Sequence, residues 1–332
     1  MIEGKSVLIT GGTGSLGQKL TETLFAKAKP REVVIFSRDE FKQFEMAKRF
    51  SPSKYPIRYF IGDIRDKERL LRAFTNIDLV VHAAALKQVP ALESNPFEAV
   101  KTNILGAQNI VEAALDRNVR KVVAVSTDKA VNPINLYGAT KLSMEKIVIA
   151  ANAYVRYRDI SFSLVRYGNV VGSRGSVIPF FCELIRQGIR ELPVTDARMT
   201  RFWITLEQGV SLVIKALEEA GGGEVLIPKI PSMKMVDLVE ALPGKCTYKL
   251  VGIRPGEKLH ESLVGEDEGR NTLDRGDHYA VLPQFQMHHK PTGNVETGHP
   301  VKQDFSFDSN TNDQWLTVEQ LRPLIEEFTI GL

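Results

Sequence analysis

The chain has 332 residues, of which 43% are hydrophobic and 25% charged, a composition that fits a globular protein with one large or two modest cores. Its 43 Lys and Arg against 40 Asp and Glu leave a formal net charge of +3, which gives no support to a nucleic-acid partner. The opening "MIEGKSVLITGG" has only a short apolar stretch before its glycines, too little for a signal peptide or a membrane span, so a cytoplasmic protein without a membrane partner is expected.

In chain order, short Val/Ile/Leu runs predict strands at 6–10, 32–37, 57–62, 78–84, 121–127 and 161–166. Helical spacing falls between them, as in "SLGQKLTETLFAKA" (15–28) and "PFEAVKTNILGAQNIVEAALDRN" (96–118). Strands alternating with helices of this length predict an α/β fold, a doubly wound parallel Rossmann sheet followed by a smaller α/β C-terminal domain. Further helices are predicted at 176–188, 205–220 and 317–328 and a strand at 222–228, while 286–313 read as loop. The expected division is 1–167 plus about 201–227 for a dinucleotide-binding domain, and about 168–200 plus 228–332 for a substrate domain. Cys182 and Cys246 form no C-x-x-C pair and are expected as separate thiols in a reducing compartment.

The first strand runs into "TGGTGSLG", where Gly11, Gly14 and Gly17 stand three apart before an amphipathic helix. Glycines there allow a tight turn and a close approach to a pyrophosphate, which then meets the positive end of the helix. A dinucleotide cofactor is therefore expected. The second strand ends in Ser37, Arg38 and Asp39. The guanidinium suits a 2′-phosphate and favours NADP, whereas Asp39 standing where an acid binds a ribose would favour NAD. In "GDIRD", Asp63 is suited either to the adenine amino group or to capping the next helix.

The segment "STDKAVNPINLYGATK" (126–141) gathers a carboxylate, two amines and a phenol. Tyr137 and Lys141 are four apart and share a helix face. A phenol with a free pKa near 10 is a poor base. A neighbouring ammonium and a nicotinamide charge are expected to lower it, and Lys141 can also hold the nicotinamide ribose. The plainer alternatives are a core aromatic with a solvated lysine, and an exposed Asp128–Lys129 pair.

Together "TGGTGSLG", "SRDE", "GDIRD", "HAAALKQVP", "STDKAVNPINLYGATK", "RYGNVVGSRGSVIPFF", "TDARMTRFWIT", "IPKIPSMKM" and "GIRPGEKLHE" resemble the nucleotide-sugar 4,6-dehydratases of the extended short-chain dehydrogenase/reductase family. Within it they look most like the inverting UDP-N-acetylglucosamine group that opens pseudaminic acid biosynthesis and feeds polysaccharide synthesis and protein glycosylation. The resemblance spans residues 5 to about 265. It implies that Tyr137 deprotonates the sugar 4-hydroxyl as hydride passes from carbon 4 to NADP+, with Thr127 hydrogen-bonded to that hydroxyl. Lys129 then removes the carbon-5 proton, Asp128 protonates the departing 6-hydroxyl, and hydride returns to carbon 6. A lysine base must be neutral part of the time, so a depressed Lys129 pKa is expected. Dehydratases of simple hexoses carry Asp-Glu in place of Asp128-Lys129, and a sister group has methionine at the position of Tyr137.

The same resemblance implies that Thr13, Ser15, Leu16, Ile64, Ala83, Ala84, Lys87 and Asn103 join the cofactor site, and that Thr195 and Met199 join Lys87 and Thr127 on the substrate. Tyr167, Gly168 and Asn169 follow the sixth strand at its carboxyl edge, where ligands bind in such sheets. Arg174, Arg201 and Arg254 are suited to a diphosphate and Glu257 to a uridine ribose, with surface ion pairs as the alternative. The six histidines, His82, His260, His278, His288, His289 and His299, make no convincing metal set, and no metal is expected. The implied substrate is UDP-N-acetylglucosamine, the implied assembly a homo-oligomer, with a hexamer as its form. The rivals are a 4-epimerase, a retaining or GDP-sugar dehydratase, and a cofactor-binding regulator without turnover.

Overall fold

Six aliphatic runs form strands close to the predicted bounds: β1 (Ser6–Thr10), β2 (Glu32–Ser37), β3 (Ile57–Ile61), β4 (Leu79–His82), β5 (Lys121–Val125) and β6 (Ser161–Val165). The computed structural model describes residues 2–155, 158–173, 175–284 and 297–330. All six strands pair in parallel in the order β3-β2-β1-β4-β5-β6, and Val225–Pro228 joins β6 in the same direction. The order reverses between β1 and β4, the switch point at which a doubly wound sheet opens a crevice. β1 and β6 are buried along their whole length, so both of their faces carry apolar residues. Helix α1 (Ser15–Lys27) packs beside Leu206–Glu219, and α3 (Lys67–Ala73) beside Gly106–Asp116, which packs in turn on Leu136–Ala150.

The structure departs from the expected boundaries where pairing is long-range. The helix expected over 96–118 is Pro96–Ala99, a wider π-helical turn Val100–Leu105, and then Gly106–Asp116. Thr200–Ile204 belongs to a separate three-stranded sheet with Asn169–Val170 and Ser232–Lys234, and the helix Leu206–Glu219 follows it. Side chains alternate across that strand, and the alternation ties two cores together. Phe202 and Ile204 enter the main core, while Trp203 enters a second one with Phe181, Leu192, Leu238 and Leu321.

Thr272–Asp274, His278–Val281 and His299–Pro300 add antiparallel strands to the edge of the main sheet, although 228–332 is expected apart from it. His299–Pro300 and Phe307–Asp308 also lie within the expected loop over 286–313; each is too short to show periodicity. Cys182 and Cys246 are both free thiols. Among the described residues no helix is long and apolar enough to cross a membrane.

Directly after β6, Arg166 is 1% exposed and donates to both oxygens of Glu145, at 3.0 and 2.6 Å, and to both oxygens of Glu268, at 2.7 and 2.9 Å. It also donates to the Leu263 carbonyl at 2.9 Å. Burial by itself would raise the Glu268 carboxyl, but the Arg166 charge and hydrogen bonds hold it below the usual range. A carboxyl held low in the folded state contributes stability above its unfolded pKa and loses it as pH falls through the folded value. Arg166→Leu, which strands the buried Glu145 carboxylate and the half-buried Glu268, should cost about 3–5 kcal/mol in denaturant unfolding at neutral pH. That difference should shrink as the pH falls below about 4.

Candidate active site

A cleft of about 800 Å³ opens at the carboxyl ends of β1, β4, β5 and β6. At its base the glycine turn is sterically fixed. Gly11 has φ +67°, and a Cβ there would lie 2.9 Å from the Ala84 backbone; at Gly17 a Cβ would lie 2.4 Å from the Gly12 carbonyl oxygen. Helix α1 starts at Gly14 with no side-chain cap and no acid in its first turn, so its leading N–H groups face the cleft without a protein acceptor from a cap. Gly11, Thr13, Gly14, Ser15, Leu16, Gly17, Ile64, Ala83 and Ala84 all line the wall.

Ser37, Arg38, Asp39 and Lys42 line the same end of the cleft. Asp39 caps α2 (Glu40–Arg49), accepting from the Lys42 N–H at 2.9 Å and pairing with the Lys42 ammonium at 2.9 Å. Asp63 is not on the wall and does not cap α3. Asp66 does that, while Asp63 accepts from Arg65 at 2.8 and 3.0 Å and lies 3.6 Å from Arg38. Asn103 is also off the wall. Its amide is spent on the Leu86 N–H and carbonyl, each at 2.9 Å, and on the Thr140 hydroxyl at 3.0 Å. Carried by the π-helical turn, it holds the loop that presents Lys87 to the cleft.

The 126–141 segment forms a 3₁₀ turn, Asp128–Ala130, and then the helix Leu136–Ala150. Asn135 caps the helix, accepting from the Gly138 N–H at 2.7 Å. Gly138 lets the helix touch the turn, since a Cβ there would lie 2.1 Å from the Lys129 carbonyl oxygen. Thr127, Lys129, Tyr137 and Lys141 line the cleft. Asp128 is fully buried and off the wall. Its Oδ1 accepts from Thr127 at 2.8 Å and from Lys129 Nζ at 3.0 Å, and its Oδ2 has no hydrogen-bond partner.

Two electrostatic expectations are corrected. Lys129 Nζ faces a second carboxylate, Glu261, at 3.4 Å, and the Asn169 side-chain oxygen at 3.3 Å. Burial lowers its affinity for a proton, but Asp128 and Glu261 outweigh burial and hold the ammonium above its ordinary range instead of below it. Lys141 is not what tunes Tyr137. Its amine donates to the Val125 carbonyl at 2.7 Å, and burial brings it down to about 8. Burial pushes Tyr137 up to about 12, against the downward pull of Lys129 and of the neighbouring Thr127 side chain. Nearby His82, bonded to Thr10 at 2.8 Å, is pulled down to about 3 by burial and stays neutral.

Tyr167, Gly168, Asn169, Thr195, Met199, Arg201, Arg254 and Glu257 line the remainder of the cleft together with Lys87. Arg174 lies outside the described residues, as do His288 and His289. Arg201 is 6% exposed and donates to the Thr200, Leu259 and Lys258 carbonyls, with Glu257 at 3.7 Å. Sequence reasoning missed the apolar wall formed by Phe180, Phe181, Trp203, Met233 and Met235. These stand inside quoted motifs but carry no polar signal. It also missed Glu261, which closes "GEKLHE". Among the described residues no group of three or more His, Cys, Asp or Glu could hold a metal ion.

The sequence family described as polysaccharide biosynthesis protein matches residues 7–283. The chain belongs to that family. It is 50% identical over 330 residues, 98% of each chain, to a protein of Campylobacter jejuni subsp. jejuni serotype O:23/36 (strain 81-176) named UDP-N-acetylglucosamine 4,6-dehydratase (inverting). It is 41% identical over 288 residues, 85% of this chain and 84% of the relative, to a Rickettsia canadensis (strain McKiel) protein named UDP-glucose 4-epimerase. Among solved structures, Pen from Bacillus thuringiensis matches 98% of each chain with a TM-score of 0.89 and 38% identity. The relatives that this chain resembles thus carry both dehydratase and epimerase names. In this member the contact between Gly138 and the Lys129 backbone leaves no room for a methyl group. Gly138→Ala should therefore cost about 1–3 kcal/mol by overpacking, read as a lower thermal midpoint.

Proposed function

We propose that the chain is a UDP-N-acetylglucosamine 4,6-dehydratase, a hydro-lyase acting with inversion at carbon 5. The observation that carries this reading is the Asp128–Lys129 pair, 3.0 Å apart, in which Lys129 lines the same cleft as Tyr137 and Asp128 is buried against it. A 4-epimerase has use for the phenol but none for an additional acid and base. The relative named for this dehydration shares 50% of its residues over nearly the whole chain, which supports the same assignment.

The glycine turn fits a dinucleotide, since Gly11 and Gly17 let it fold tightly against the Ala84 and Gly12 backbone, where a Cβ would clash, and so leave the start of α1 open to the cleft. The amides opening α1 would take its pyrophosphate, and Ser37, Arg38 and Lys42 its adenosine ribose. Asp39 is occupied by Lys42, which leaves Arg38 as the guanidinium at this end of the cleft and favours NADP over NAD. Bound there, the dinucleotide would supply a two-electron oxidation and its reversal.

Tyr137 takes the proton of the 4-hydroxyl. The resulting ketone acidifies the hydrogen on carbon 5. Lys129 accepts that proton while Asp128 gives the one it has taken over to the departing 6-hydroxyl. Since Lys129 rests as an ammonium, the reactive form is the tautomer in which its proton has crossed the 3.0 Å hydrogen bond to Asp128. Elimination restores the resting pair, and as hydride returns to carbon 6 the proton that Tyr137 took from the 4-hydroxyl balances the one that carbon 5 regains. Lys87, Arg201 and Arg254 face the diphosphate, Tyr167, Gly168, Asn169, Thr195 and Met199 the sugar side, and Glu257 the uridine ribose. The product is UDP-2-acetamido-2,6-dideoxy-β-L-arabino-hex-4-ulose.

Proton NMR of the protein with UDP-N-acetylglucosamine and no added reductant should show a 6-methyl doublet, and the ring couplings should report the inverted carbon 5. Lys129→Met and Asp128→Asn should each slow its appearance by about 10²–10⁴-fold. UDP-N-acetylgalactosamine without a methyl signal would make the chain an epimerase. A doublet seen only with the GDP sugar would move the substrate assignment. Arg38→Ala should weaken NADP binding about tenfold or more and leave NAD binding nearly unchanged in calorimetric titration.

A further inference from the structure

Glu261 is 2% exposed, and its backbone is held from both sides by Ser309: its N–H donates to the Ser309 hydroxyl at 2.9 Å, and its carbonyl accepts from the Ser309 N–H at 2.8 Å. Its Oε1 lies 3.4 Å from Lys129 Nζ, while its Oε2 lies 3.8 Å from Lys258 Nζ and accepts no hydrogen bond. The segment that carries it is pinned onto the 126–141 segment. Lys258 donates to the Val131 carbonyl at 2.5 Å, and Asn135 donates to the Gly256 carbonyl at 2.8 Å. A buried carboxylate with one oxygen unbonded is costly to hold for packing alone, because packing could be served by an amide or an apolar residue. Its placement makes sense if its charge is used.

We infer that Glu261 is a positioning residue for the elimination step, acting through Lys129. With Asp128 it brackets the amine, and it stabilises the positive charge that Lys129 gains on taking the carbon-5 proton. The inference rests on the dehydratase reading. In the reactive tautomer Asp128 is protonated and neutral, and Glu261 is then the carboxylate that still faces Lys129. The other groups around the amine are Arg201, Lys258 and Lys87, all cations, and the neutral phenol of Tyr137. Without Glu261 these cations would oppose the charge that develops on Lys129.

The productive pair carries one proton between Asp128 and Lys129. On the alkaline side that proton is lost, and with it the acid for the leaving hydroxyl. Removing a nearby carboxylate makes the proton easier to lose, so the alkaline limb must move to lower pH. In the full-length protein, Glu261→Gln should shift the alkaline limb of kcat for 6-methyl product down by about one pH unit, with KM nearly unchanged. Glu261→Asp, which withdraws the carboxylate by one methylene, should shift the limb the same way by less. A folded Glu261→Gln protein with an unmoved alkaline limb overturns the inference, whether or not kcat falls, because a packing role does not move a titration. Should that variant not fold, an unmoved limb in Glu261→Asp does the same. Failure of the underlying reading would appear separately, as a wild-type protein that forms no methyl doublet.

Discussion

Arg166 is the knot of this molecule. Its guanidinium leaves the end of β6 and spends its donors on Glu145, from the helix that bears Tyr137 and Lys141, and on Glu268 and the Leu263 carbonyl, from the C-terminal segment. A buried guanidinium is tolerable only when its donors and charge are met. Three distant parts of the chain are therefore held in one register, or all three pay for an unmet charge. Glu145 also accepts a short hydrogen bond from Ser126, the residue that opens the catalytic segment. The same ion cluster thus sets the spacing between sheet, helix and turn.

That knot explains why residues beyond 250 reach an active site built on a sheet that is mostly complete by residue 165. The C-terminal segment is anchored at Glu268. From that anchor the chain before it runs along the cleft, giving Glu261 to Lys129, the Lys258 amine to the Val131 carbonyl, and Glu257 to the wall beside Arg201. The site is a seam between two cores. Trp203 lies in one core and its neighbours Phe202 and Ile204 in the other, so the seam is itself crossed by a strand and cannot open without cost to both.

The parallel strands were legible because burial on both faces demands continuous aliphatic runs, and the glycine turn because it stands between a strand and a helix. Tyr137, Lys141, Asp128 and Lys129 were legible as a cluster because one segment carries them all. What sequence spacing could not carry was the third dimension of the electrostatics. Glu261 stands 132 positions after Lys129 in the numbering, so nothing local announces that the amine has two counter-charges. Lys141 reads as the partner of Tyr137 by helical spacing, yet the Val125 carbonyl at the end of β5 captures its amine. Asp63 reads as a cap for α3, but Asp66 is one residue from the helix start and takes that role. The short strands at 272–274, 278–281 and 299–300 exist only through their pairing and leave no pattern of their own.

A further consequence concerns the resting state. Tyr137 is held protonated by burial, and Lys129 is an ammonium paired with Asp128, so none of the three stands in the form that the proposed dehydration uses. Ligands that fill the cleft change both terms of that balance: they exclude water, which penalises a separated ion pair, and they bring their own charges to the wall. A neutral Asp128–Lys129 tautomer is the form that desolvation favours, because it carries no separated charge. On this view the cleft keeps strong proton-transfer groups quiescent until a substrate closes it, and the energy that wakes them comes from binding the parts of the substrate that do not react.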